Sequence, residues 1–135
     1  MPVNKINHLA AISAAIVYFL AGRAWYLALE DRWLPLVHKL PSDVNTRDPV
    51  PYVIAFAMGL VASYGIATIL TRWETGVLRG AQLGAFIGIA FVAASMLVDT
   101  MYEHTGAPLW LIVAAYPAVG LTIVGAILGA WRRRE

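Results

Sequence analysis

Four stretches of the chain run for roughly twenty residues each with almost no charge, separated by polar segments. The first extends from about Leu9 to Leu29 and holds one charge, Arg23. The second covers about Val50 to Leu70 and holds none. The third covers about Gly80 to Met101, with Asp99 near its end, and the fourth, about Ala107 to Trp131, is again uncharged. A helix needs ~20 residues to cross the hydrocarbon of a bilayer. Lipid satisfies no backbone N–H or C=O, so an isolated span of this kind has to be a helix. The pattern therefore predicts an all-α integral membrane protein: one domain over residues 1–135, with four transmembrane helices in an up-down bundle. The first apolar run is longer than the ~7–15-residue core of a signal peptide and carries Arg23 where cleavage would fall, so a retained span is expected.

The connections differ in length. Residues 72–79 (RWETGVLR) and 102–108 (YEHTGAP) are short and contain glycine, which makes successive helices antiparallel neighbours. Residues 30–49 are longer. Within DRWLPLVHKL, Trp33, Leu36, Val37 and Leu40 recur at helical spacing, which predicts a short interfacial helix, with a loop holding one hydrophobic foot as the alternative. PSDVNTRDPVP follows as a polar turn region.

Composition supports the membrane reading: 60% of residues are hydrophobic and only 13% charged, against a usual ~25% charged. A soluble fold of this length could not hide so much apolar surface. With no cysteine, disulfides and thiolate chemistry are excluded. The net charge of +2 comes from basic residues flanking apolar runs, which points to topology and away from nucleic acid. An even number of spans puts both termini on one side. That side carries Lys5, Arg72, Arg79, Arg132, Arg133 and Arg134, and the other carries Arg32, Lys39 and Arg47. Basic residues favour the cytoplasm, so both termini are expected there, in a bacterial inner membrane.

Charges within spans are costly and usually paired. Arg23 lies about 22 Å beyond His8 and Asp99 about 28 Å beyond Gly80, at 1.5 Å per residue. Both fall in the outer half, at an offset a long arginine can bridge. Glu30 and Glu103, seven and four residues further along the same helical faces, extend the choice of acceptor; the expectation is an Arg23–Asp99 pair tying the first span to the third, with Glu103 as second acceptor. Snorkelling of Arg23 to headgroups and a working site are the alternatives.

Close helix approach in lipid depends on small residues. Ala55, Gly59, Ser63 and Ala67 supply them in the second span, Gly80, Gly84 and Gly88 in the third, and Gly125 and Gly129 in the fourth. Packing within the chain is expected, with a second copy or a larger membrane complex as the alternative partner beside the bilayer itself. Trp25, Tyr26, Trp33, Trp73, Tyr102, Trp110 and Trp131 cluster toward span ends, as an interfacial belt does. Pro117, about 15 Å into the last span, should release the Val113 carbonyl and kink the helix. Tyr116, Tyr64 and Ser95 could line a polar pocket beside it, or each could simply bond a backbone carbonyl. His8, His38 and His104 form no paired ligand arrangement, and HExxH, P-loop and Gly-x-Ser-x-Gly motifs are missing. No catalytic, cofactor or metal site is expected.

AGRAWYLALEDRW (residues 21–33) and AAYPAVGLTIVGAILGAWR (residues 114–132), with the four-span plan and the length, resemble a bacterial membrane protein family, the domain of unknown function 1761. Members of that family often have an asparagine and a histidine near the last-span tyrosine, where this chain has Ala114, Ala115 and Pro117. The resemblance implies the architecture and leaves the activity open. The functional expectation is a non-enzymatic packing or accessory subunit or a small-ligand binder. The alternative is a small four-span efflux transporter of hydrophobic or cationic compounds, although such transporters generally carry a first-span glutamate where this chain has Arg23.

Overall fold

Asn7 opens the first helix: its side-chain oxygen accepts from the Ala10 amide at 3.2 Å, satisfying one of the N–H groups a helix start leaves over. Its Nδ2 donates to the Trp131 carbonyl at 3.3 Å, tying the start of the first helix to the end of the last. The computed structural model describes residues 6–36, 49–72, 76–103 and 106–131. They form α1 (His8–Ala28), α2 (Glu30–Leu36), α3 (Val50–Leu70), α4 (Val77–Ile87), a π-helical turn (Gly88–Ala93), α5 (Ala94–Tyr102) and α6 (Ala107–Ala130). No strand occurs among the described residues. α1, α3, the rod Val77–Tyr102 and α6 are each long and apolar enough to cross a membrane. The protein is thus the expected four-helix membrane bundle. α2 is the helix expected in the first connection, as far as Leu36. Val37 and Leu40, the rest of that expectation, lie outside the described residues.

α6 is the hub. The third span packs along one side of it, α1 along another, and α3 sits mainly against α1 with a lesser contact to α6. The third span owes its closeness to glycine. A Cβ on Gly80 would fall on the Gly125 carbonyl, one on Gly84 on the Leu121 carbonyl, and one on Gly129 on the Gly76 carbonyl. The two backbones touch, as small residues allow in lipid. The glycines of both helices are therefore used against each other within the chain.

The third span is not the uninterrupted α-helix the apolar run implies. Its buried positions step by four from Gly80 to Gly84 to Gly88, and then by five to Ala93. That five-residue step is the π turn, which adds one residue and rotates the helix beyond it by about 100°. It lies level with Pro117: a Cβ on Gly88 would meet the Pro117 carbonyl oxygen and Ala118 Cα, both at 2.9 Å. The Ala93 carbonyl, at the end of this stretch, accepts the Trp110 indole N–H at 2.8 Å. α6 itself continues as helix through Pro117.

The core gathers at the end of the bundle where the termini lie. Ala10, Ala11 and Ala14 of α1 meet Ile66, Ala67 and Leu70 of α3 and Leu121, Val124 and Leu128 of α6. Ser63 is fully buried there and donates to the Ala11 carbonyl at 2.7 Å. At the other end the exposed positions multiply. Arg23, Ala24, Leu27 and Ala28 of α1 and Val50, Pro51, Val53, Ile54 and Ala55 of α3 are all exposed.

Candidate functional site

α1 and α3 are closed at one end by alanines and Ser63, and are held apart at the other by aromatic rings. Tyr18 separates them: its ring lies 3.6 Å from the place a Cβ on Gly59 would occupy. Tyr18 and Tyr116 interlock with two glycines. The Tyr116 ring fills the space a side chain on Gly22 would take, and the Tyr18 ring fills that of Gly120, each 2.6 Å from the Cβ position. The two rings lie 4.7 Å apart, and the Tyr116 hydroxyl donates to the Tyr18 carbonyl at 2.6 Å. Tyr26 stands edge-on to Tyr116 and to Trp33, at 5.9 and 5.6 Å between centroids. Such ring geometries are attractive beyond the area they bury, so the arrangement is stiff.

α2 caps this end. Leu34 is buried and the Trp33 indole donates to the Tyr26 carbonyl at 2.9 Å. Trp25 donates to the Ile112 carbonyl at 2.9 Å, next to the Val113 carbonyl expected to be released by Pro117. Trp25, Trp33 and Trp110, which the belt pattern assigned to headgroups, thus each direct the indole N–H to a helix carbonyl inside the bundle. Trp73 lies outside the described residues.

Between these parts lies a cleft of about 540 Å³, within the ~300–1,000 Å³ typical of small-molecule sites. Phe19, Gly22 and Arg23 form its α1 side, and Tyr52, Ala55, Met58 and Ala62 its α3 side. Tyr116 and Leu121 of α6 and Val92 of the π turn close its back, and Glu30 and Trp33 of α2 sit at its end. Arg23, Leu27, Ala55 and Met58 are all exposed, so the cleft opens sideways between α1 and α3, where lipid would lie. The wall is almost wholly apolar and aromatic. Arg23 is its cation, with the guanidinium carbon 5.4 Å from the centre of the Tyr52 ring, within the range of a cation–π contact. Glu30 is its carboxylate.

The structure does not bring Arg23 and Asp99 together. Arg23 faces α3 across the cleft, whereas Asp99 is exposed on α5, which packs on α6. The glycine seam fixes this: α6 occupies the packing face of the third span, so α1 is held on another side of α6. No ion pair links Arg23, Asp99 or Glu103 among the described residues. Glu103, also exposed, follows the last turn of α5, where its amide donates to the Asp99 carbonyl at 2.9 Å.

Nor do Tyr116, Tyr64 and Ser95 share a pocket. Tyr116 backs the cleft, Ser95 is exposed on α5, and the Tyr64 hydroxyl lies 2.9 Å from His8 Nδ1 near the termini. Thr68, Thr100 and Thr122 turn their hydroxyls back to carbonyls of their own helices. Sequence reasoning missed Tyr18, Gly22 and Gly120 as site residues and read Tyr26 only as part of the interfacial belt. Their signal was the four-residue spacing Tyr18–Gly22–Tyr26 matched by Tyr116–Gly120, which places ring opposite glycine in both directions.

Residues 9–129 match the family described as a protein of unknown function, DUF1761, and the chain belongs to that family. No curated protein and no solved structure matches it.

Proposed function

We propose that this DUF1761 protein is a non-enzymatic binder, holding one small amphipathic molecule in the cleft between α1 and α3. A single observation carries the reading. In a bundle whose third and fourth spans close to backbone contact, about 540 Å³ beside them is kept open by interlocked rings. Its walls are apolar, its mouth faces the hydrocarbon, and its charges sit near the helix ends. Such a site suits a molecule that enters from the bilayer with its polar end toward water. The membrane is a bacterial inner membrane, with both termini cytoplasmic and the cleft in the outer leaflet. The exposed apolar faces of α3 and the third span leave room for a second copy or a partner subunit.

The lateral mouth also suits the efflux transporter reading, because hydrophobic compounds partition into lipid first. Transport further requires the cleft to open toward the termini, where Ser63, Ile66 and Leu128 are tightly packed; a fixed binding site fits that packing better.

The test is native mass spectrometry of the detergent-extracted protein beside Ala55→Trp, which fills the mouth from an exposed position without entering the core. One bound molecule per chain is expected on the wild type and none on the variant, with equal thermal stability once both are stripped of bound molecules. Equal adducts on both proteins, or none on the wild type, would overturn the reading. For topology, a reporter after Glu135 should behave as cytoplasmic and one near Asn45 as external, and the reverse would invert the leaflet assignment.

A further inference from the structure

Arg23 and Glu30 both line the cleft. They lie seven residues apart in sequence, on either side of the break at Leu29 between α1 and α2. No ion pair involves either among the described residues. Arg23 instead lies over the Tyr52 ring, 5.4 Å from its centre. Two opposite charges therefore line one cleft without neutralising each other, and both are set near the end of the bundle capped by α2. Arg23 comes five residues before the end of α1, and Glu30 opens α2. Below them the cleft is apolar down to Ala62 and Leu121, about 18 Å from the start of α3 at Ala62. One charge would fit an anion or a cation. Two opposite charges that line one apolar cleft without pairing fit a molecule that itself carries both.

Resting on the reading of the cleft as a ligand site, we propose that its occupant is a zwitterionic phospholipid. The phosphate sits on Arg23, the headgroup amine lies at Glu30, and one acyl chain runs between Phe19 and Met58 toward Ala62. The guanidinium suits a phosphate, because its planar fork can donate two parallel hydrogen bonds while the other face stays on an aromatic ring. The amine has two means of recognition at the same end. A primary ammonium can donate to the Glu30 carboxylate, and a quaternary ammonium can lie against Trp33 and Tyr26. A purely anionic headgroup is disfavoured, because its additional oxygens would approach Glu30 with no cation to offset it.

The experiment titrates the full chain in detergent with phosphatidylethanolamine, phosphatidylcholine and phosphatidylglycerol of matched acyl chains, counting bound lipid by native mass spectrometry. The wild type should hold at least one of the two zwitterionic lipids about tenfold more tightly than phosphatidylglycerol, the size of one charge-assisted contact. Glu30→Gln should abolish that preference, and Arg23→Gln should weaken all three lipids. Circular dichroism should show both variants folded, since Arg23 is exposed and Glu30 half-buried. Ethanolamine should be held above choline, because only a primary ammonium donates to the Glu30 carboxylate; choline held above ethanolamine would move the amine to the aromatic faces and overturn its assignment to Glu30. Phosphatidylglycerol held as well as the zwitterions, or a preference that survives Glu30→Gln, would overturn it. Ala55→Trp separates the two levels. If all lipids bind alike but are lost on Ala55→Trp, the cleft stands and the headgroup assignment falls. If binding ignores Ala55→Trp, the cleft reading falls as well.

Discussion

The α4–α6 seam and the α1–α3 cleft are built from similar helix faces and end differently. α4 and the π turn present Gly80, Gly84 and Gly88 at four-residue spacing, and α3 presents Ala55, Gly59, Ser63 and Ala67 at the same spacing. The first face closes along its length, with carbonyls where side chains would be. The second closes only at Ser63 and Ala67, leaving a cleft at Ala55 and Gly59. The facing helix makes the difference. α6 offers Gly125 and Gly129 to the first, while α1 offers alanines to Ser63 and Ala67 but Tyr18, Phe19 and Arg23 to the other half. A stripe of small residues permits close approach, and only small residues at the same level opposite complete it. Where the opposite residues are aromatic, the same stripe becomes the floor of a pocket.

The largest test breaks the seam. Gly84→Leu should abolish native packing of the third span on α6, because even a Cβ meets the Leu121 carbonyl. Gly84→Ala should cost about 2–3 kcal/mol, as overpacking does. Gly65→Ala is the control, since nothing lies within 4 Å of its Cβ position, and it should hold or slightly raise stability, as alanine does in place of glycine inside a helix. Thermal unfolding in detergent reads all three. Equal melting temperatures for Gly84→Leu and wild type would mean that the glycine face is not where the helices meet.

The spans, their order and the glycine faces were legible in the sequence because each rests on a local rule: length against bilayer thickness, and small residues at four-residue spacing. The π turn was not. Gly88–Ala93 contains nothing that marks an extra residue, and only the change from a four-residue to a five-residue step shows it, once burial is known. The cleft was half legible. Arg23 was recognised as out of place, and Tyr116 as a polar group at depth. Pairing Arg23 with Asp99 used depth alone, and depth does not say which sides of the hub two helices occupy. The interfacial-belt rule placed the tryptophans near helix ends but missed where their N–H groups go, because an end-of-helix indole can turn outward to headgroups or inward to a spare carbonyl.

Trp110→Phe sharpens the comparison by an intermediate amount. It keeps the ring and removes the donor to the Ala93 carbonyl at the end of the π turn. The lost hydrogen bond should destabilise the protein by about 1 kcal/mol, and amide exchange should quicken around residues 93–97. If the π turn is held by the seam alone, exchange there will not change.

The smallest effect is expected at Arg23 and Asp99. Were the two an ion pair shielded from water, removing either would strand the other, at a cost of about 3–5 kcal/mol when fully buried, and a double-mutant cycle would show coupling. The structure places both on exposed surface, on helices that pack against different sides of α6. Arg23 lies on Tyr52, so Arg23→Ala should lose that contact alone, about 0.5–1 kcal/mol at an exposed site. Asp99→Ala should stay within about 0.5 kcal/mol of wild type, as surface changes do. The effects of distant, unshared sites add within about 0.3–0.5 kcal/mol, so the double variant should equal the sum of the two. Coupling above that margin would mean that the third span approaches α1 in the membrane, and the seam would then have to give way to let it. Tyr52→Leu supplies the positive arm: combined with Arg23→Ala it should show less than additive loss, because one contact is being removed twice. A cycle that couples Arg23 to Tyr52 and not to Asp99 would assign the arginine to the cleft.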